Sequence, residues 1–143
     1  MIVAQMLKGK GDQVITIKPD DTVAAAAKLL AQHRIGAIVV SAGDRAISGI
    51  LSERDIVRHL AANGASVLQM PVRDLMTAKV VTCRVNDTIN ELMAIMSQGR
   101  FRHVPVVEHG KLTGIISIGD VVKARVAEIE SEAQALREYI ATG

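Results

Sequence analysis

Two short stretches carry the residue types that can do chemistry. One is Ser52-Glu53-Arg54-Asp55, the other Ser117-Ile118-Gly119-Asp120. Each follows an apolar run that reads as a strand, Gly49-Ile50-Leu51 and Gly114-Ile115-Ile116, and each aspartate precedes a β-branched pair, Ile56-Val57 and Val121-Val122. Serine and aspartate at this spacing form a helix capping box, in which the serine caps the helix and the acid bonds back to its backbone. The same geometry has a second use. A helix N-terminus offers N–H donors and positive potential to an anion such as phosphate, and a carboxylate in the first turn accepts hydrogen bonds from both hydroxyls of a ribose. The spacing alone leaves both uses open, and they do not exclude each other. Nearby bases add to the second. Arg54 lies inside the first stretch, and Arg102-His103 precedes the strand-like run Val104-Pro105-Val106-Val107. Arginine presents a planar fork of donors to phosphate, and histidine titrates near neutral pH.

Other chemistries find no footing. The sequence has no phosphate-binding P-loop, no G-x-G-x-x-G, no paired-histidine motif and no nucleophile elbow. His33, His59, His103 and His109 lack metal-ligand spacing. Cys83 is the only cysteine, which rules out an internal disulfide and a cysteine zinc cluster, and it reads as a small buried hydrophobe. No residue is assigned a catalytic or metal-binding role, and an enzyme is not expected.

Composition narrows the partners. Across 143 residues the formal net charge is +2, with acids and bases interspersed. That balance argues against electrostatic binding to nucleic acid or a membrane surface. Phe101 and Tyr139 are the only aromatic residues, so the core must be aliphatic and stacking platforms for single strands are missing. No apolar run reaches the length of a membrane span, and the first residues lack the long apolar core of a secretory signal. A cytoplasmic location is the default expectation.

The elements that must position the two stretches come from an internal repeat. Thr16-Ile17-Lys18-Pro19-Asp20-Asp21-Thr22-Val23 is matched 66 residues on by Thr82-Cys83-Arg84-Val85-Asn86-Asp87-Thr88-Ile89. Gln32, Arg34 and Val40 meet Gln98, Arg100 and Val106 at the same offset, and the lead-ins Val3 to Leu7 and Val72 to Met76 also resemble each other. The chain divides into domains 1–68 and 69–143. Each repeat reads as strand, helix, strand, strand, helix. In the first, Val14 to Ile17 is a strand, Thr22 caps a helix to about Arg34, Ala37 to Val40 is a buried strand, and Ile47 to Leu51 returns after a turn at Gly43-Asp44-Arg45. A helix from Ser52 ends near Asn63-Gly64. In the second, Thr88 to Glu91 has capping-box spacing, and Ile89, Leu92, Met93 and Met96 form the helix stripe. Val104 to Val107 and Leu112 to Ile116 pair as a hairpin, with Pro105 marking an edge or strand end. The last helix, from Gly119 to about Ala141, spaces Val122, Val126, Ile129, Ala133, Leu136 and Ile140 by 4, 3, 4, 3 and 4 residues. That seam resembles a coiled coil and calls for cover by a second subunit.

The duplicated Asp-Thr helix start, the Arg-His-Val-Pro-Val-Val run and the Gly-Ile-Ile-Ser-x-x-Asp corner, in register over nearly the whole chain, resemble a tandem pair of CBS domains. The resemblance implies an α/β (α+β) fold of two tandem β-α-β-β-α repeats with pseudo-two-fold symmetry and two clefts between them. It implies a non-catalytic regulatory module that needs no cofactor and binds an adenosine-containing small molecule. AMP, ADP, ATP or NAD(H) is expected, with S-adenosylmethionine ranked below them. In such a pair Asp55 and Asp120 would hold ribose, and Ser52 and Ser117 would lie near phosphate. Arg54, Arg102 and His103 would contact phosphate, the backbone at Val104 and Pro105 would read adenine, and Ile38 in the first repeat would be a further ligand-binding residue. Thr16, Ile17 and Thr82 would wall the clefts. Because the first repeat has Ile35-Gly36-Ala37 where the second has Phe101-Arg102-His103, the two clefts are expected to differ. The resemblance further implies a homodimer acting on a regulated protein that the sequence does not identify. The alternative is a ligand-free interaction module that works through the last helix.

Overall fold

The computed structural model describes residues 1–10 and 14–142. Helix α1 (Val3–Lys10) leads in. The first repeat is β1 (Thr16–Ile17), α2 (Val23–His33), β2 (Ala37–Val40), β3 (Gly49–Ser52) and α3 (Glu53–Asn63). Two short 3₁₀ turns, Ala65–Gln69 and Val72–Asp74, connect it to α4 (Ile89–Gly99), β4 (His103–Glu108), β5 (Lys111–Ser117) and the long α5 (Ile118–Thr142). The mixed α+β architecture and the long last helix are those expected.

Local chemistry sets the helix limits. The Thr22 hydroxyl accepts from the Ala25 amide at 3.1 Å to start α2. The Thr88 hydroxyl accepts from the Glu91 amide at 3.2 Å, and the Glu91 carboxylate accepts from the Thr88 amide, closing a capping box on α4. Both helices stop at an arginine in the left-handed region, Arg34 (φ 53°) and Arg100 (φ 56°). That single residue turns the chain into the next strand.

In the first repeat β1 pairs parallel with β2, and β2 antiparallel with β3. In the second, β4 and β5 form an antiparallel pair, and the expected strand at Thr82-Cys83 is reduced to a single bridge from Cys83 to Val106. Pro105 explains the difference. Its carbonyl accepts from the Cys83 amide at 2.9 Å, so the donor its ring removes faces the same neighbour and the pairing cannot extend. In the first repeat Val39 stands at this position and pairs with Thr16. Two further expectations are corrected. The first strand covers only Thr16–Ile17, and the return strand begins at Gly49 instead of Ile47. Met93 leaves the α4 stripe, because Ile89, Leu92 and Met96 already fill the inward face and Met93 lies on its flank, 42% exposed.

The cores do not follow the chain in order. The first contains Val23, Leu30, Ile38 and Leu51, completed by Val67, Val72 and Leu75 from the connection. The second contains Ile89, Leu92, Val104 and Ile116, completed by Val3 and Met6 of α1. Each repeat is therefore closed by the segment that leads into the other. The two exchanges match bond for bond. Val3 and Ala4 donate to the carbonyls of Asp87 and Val85, each at 2.9 Å, while Val72 and Arg73 donate to those of Asp21 and Pro19 at 2.8 and 3.1 Å. Leu7 packs over Gly114 and Met76 over Gly49, so close that a Cβ at either glycine would meet them at 2.6 Å.

Candidate functional site

The two Ser-x-x-Asp corners are built alike. Asp55 Oδ2 accepts from the Ser52 amide at 2.9 Å and from the Ser52 hydroxyl at 3.0 Å, and the Asp55 amide donates to the Ser52 hydroxyl at 3.2 Å. At Ser117 and Asp120 the same three bonds measure 2.9, 2.9 and 3.2 Å. The first helical amide is also used, from Glu53 to the Gly36 carbonyl at 2.9 Å and from Ile118 to the Arg102 carbonyl at 2.7 Å. Of the four amides a helix start leaves open, three at each corner are thus satisfied within the chain. Little of the helix terminus remains to hold an anion, so side chains must do it.

A cavity of about 360 Å³ opens at the first corner. Ser52, Arg54 and Asp55 line it from the first repeat, and Arg100, Arg102 and His103 from the second. Arg58 and Lys79 add two more cations, against the single further acid Glu53. Phe101, Val80 and Val81 supply an apolar wall. The bases missing from the first repeat's own sequence are delivered by the second. His103 lies against the first repeat, where a Cβ on Gly36 would meet its ring at 3.1 Å. Burial holds the His103 imidazole below its ordinary pKa, and the charges of Lys10 and Arg102 act in the same direction while Glu53 and Asp120 oppose them.

Asp120 has a companion that Asp55 lacks. The Lys10 ammonium reaches across from α1 and donates to Asp120 Oδ2 at 2.5 Å and to the Ile115 carbonyl at 2.8 Å. Burial alone would push the Asp120 carboxyl up, but the bonds from Lys10 and Ser117 outweigh it and hold the group below the usual carboxylate range. The nearest cation to Asp55 is Arg58, at 4.0 Å.

The remaining expected residues lie elsewhere. Ile17 and Ile38 are buried in the first core and Val104 in the second. Pro105 is also buried, whereas Thr16 and Thr82 are exposed. None of these lines the cavity, and Ser117 and Asp120 form the other corner. The sequence reading passed over Lys10, Lys79, Glu53, Arg58 and the apolar wall. A signal for the lysines was present, since Lys10 and Lys79 stand at the same distance as the matched lead-ins that begin at Val3 and Val72.

Comparison with known proteins agrees with the repeat. A family model described as CBS domain matches residues 10–62 and again 72–127. The crystal structure of a CBS-domain containing protein from Agrobacterium tumefaciens superposes with a TM-score of 0.85 at 51% identity, covering 87% of this chain and 99% of that one. A putative signal-transduction protein with CBS domains from Burkholderia ambifaria superposes at 0.84 and 42% identity, covering 89% and 95%. The mitochondrial CBS domain-containing protein CBSX3 of Arabidopsis thaliana is 36% identical, covering 99% of this chain and 72% of the relative. At 23% identity and a TM-score of 0.80, the CBS domain pair of protein MJ0100 shares the fold over 90% of this chain and 98% of that one. It was solved in complex with 5′-methylthioadenosine and S-adenosyl-L-methionine.

Proposed function

The chain belongs to the CBS-domain family as a tandem pair, and from that premise we propose that it is a non-catalytic sensor of a phosphorylated adenosine ligand. AMP, ADP, ATP and NAD(H) are the candidates. The observation that carries this reading is the cavity in which Asp55 faces Arg54, Arg58, Lys79, Arg100 and Arg102. A diol is met by the carboxylate and a phosphate chain by the cations, while Phe101 and Val81 offer the base an apolar wall. The ligands of the MJ0100 pair support an adenosine group in this fold. The cationic lining favours phosphate over the positively charged sulfonium of S-adenosylmethionine. Ligand in the cavity touches both repeats, so its affinity depends on their relative packing, which is what a sensor requires.

A second copy of the chain is the proposed cover for α5, and a regulated protein would read the assembly. The alternative, a module that binds only protein, is favoured by that same bare helix. The deciding measurement is thermal unfolding with AMP, ADP, ATP, NAD⁺, NADH and S-adenosylmethionine. A ligand at about 100 times its dissociation constant should stabilise the fold by about 2.7 kcal/mol. Asp55→Ala should remove the share of that gain that comes from this cavity while costing only about 0.5–2 kcal/mol through the weakened capping box. No gain with any of these ligands would leave the protein-binding module as the better reading.

A further inference from the structure

We propose that Lys10 and Lys79 are a matched pair of specificity-determining residues, and that Lys10 makes the Asp120 corner selective for phosphorylated ligands by occupying its carboxylate. This rests on the reading of the corners as ribose sites. The two lysines stand at matching distances along the lead-ins, Lys10 at the end of α1 and Lys79 beyond the second 3₁₀ turn, and each reaches the corner of the other repeat. Lys79 lines the open cavity with Asp55, and among the described residues it makes no ion pair. Lys10 instead sits on Asp120 at 2.5 Å and is pinned by the Ile115 carbonyl at 2.8 Å.

The consequence is a difference in what each carboxylate can accept. Asp120 Oδ2 already takes three donors, from Lys10 and from the amide and hydroxyl of Ser117. A ribose diol needs both oxygens of the group, so Lys10 must leave Oδ2 before the sugar is fully held. A phosphate offers the departing ammonium a new anionic partner, and a neutral nucleoside offers none. The ion pair is part-exposed, with 36% of the Lys10 side chain and 29% of the Asp120 side chain accessible, which leaves the lysine room to move.

Titration calorimetry with adenosine and with ATP tests this. Asp55→Ala isolates the second corner. In that background Lys10→Met should raise adenosine affinity at least tenfold, raise ATP affinity less, and be mimicked by no change that keeps the charge, so Lys10→Arg should behave as wild type. In the otherwise intact chain, Lys10→Met should increase the number of adenosine molecules bound per chain. Unchanged or weakened adenosine binding in Lys10→Met, or no binding by the Asp55→Ala, Lys10→Met chain, overturns the proposal. Failure of the sensor reading shows separately, as no binding of ATP by the wild-type chain.

Discussion

His103 stands where the two repeats touch, against Gly36, with Glu53 and Asp120 on the acidic side and Lys10 and Arg102 on the basic. Its pKa is lowered in the fold, so the folded state binds a proton less readily than the unfolded chain. The stability it contributes is fully present above the unfolded value of 6.5 and is lost as pH falls through the folded value. Wild type should therefore lose stability below about pH 6.5, and His103→Gln should flatten that part of the curve in denaturant titrations at stepped pH. Two glycines give a second test. A Cβ at Gly49 would meet the Thr77 carbonyl at 2.8 Å as well as Met76, whereas at Gly114 the three atoms nearest to it all belong to the Leu7 side chain. Backbone cannot step aside as a leucine can. Gly49→Ala should cost about 1–3 kcal/mol by overpacking and Gly114→Ala clearly less, compared by urea midpoints. At this scale Ser52, Asp55, Ser117 and Asp120 were legible because capping chemistry has a fixed spacing. The partners of Asp120 and Asp55 were not, because a lysine's contacts depend on where its helix is docked.

Among the elements, the capped helices follow their sequence signals closely, since a cap is a local hydrogen bond. The edge at Cys83 was less legible, because it depends on a proline that lies in another strand. The last helix shows both. Its seam was readable, and Val121 at its start is buried, but Val126, Ile129, Leu136 and Ile140 are 48, 51, 59 and 68% exposed. If a second copy covers this face, Leu136→Glu should shift the protein toward monomer in sedimentation velocity at micromolar concentration. The monomer fraction should rise with dilution faster than in wild type. A wild-type chain that is monomeric throughout would remove the dimer from the proposal.

For the whole molecule, the cavity is a product of the duplication, drawing its carboxylate from one repeat and most of its bases from the other. The repeat could be read from two matching stretches, and with it the fold. The crossing of the lead-ins could not, because both segments have the same pattern and either core would accept it. That crossing also orders events in time. Helix α1 is synthesised before the other described helices, yet its bonds close the span from residue 3 to residue 87, while the first repeat is completed by residues that end at Leu75. Long closures cost more chain entropy than short ones. In pulsed hydrogen exchange the Val3 and Ala4 amides should gain protection with the second repeat and after β1 to β3; protection together with the first repeat would contradict this order. Until then the Val3 and Met6 side chains of α1 have no seat, and a nascent or stressed chain in that interval is open to capture by a chaperone or by the vacant second repeat of a neighbour.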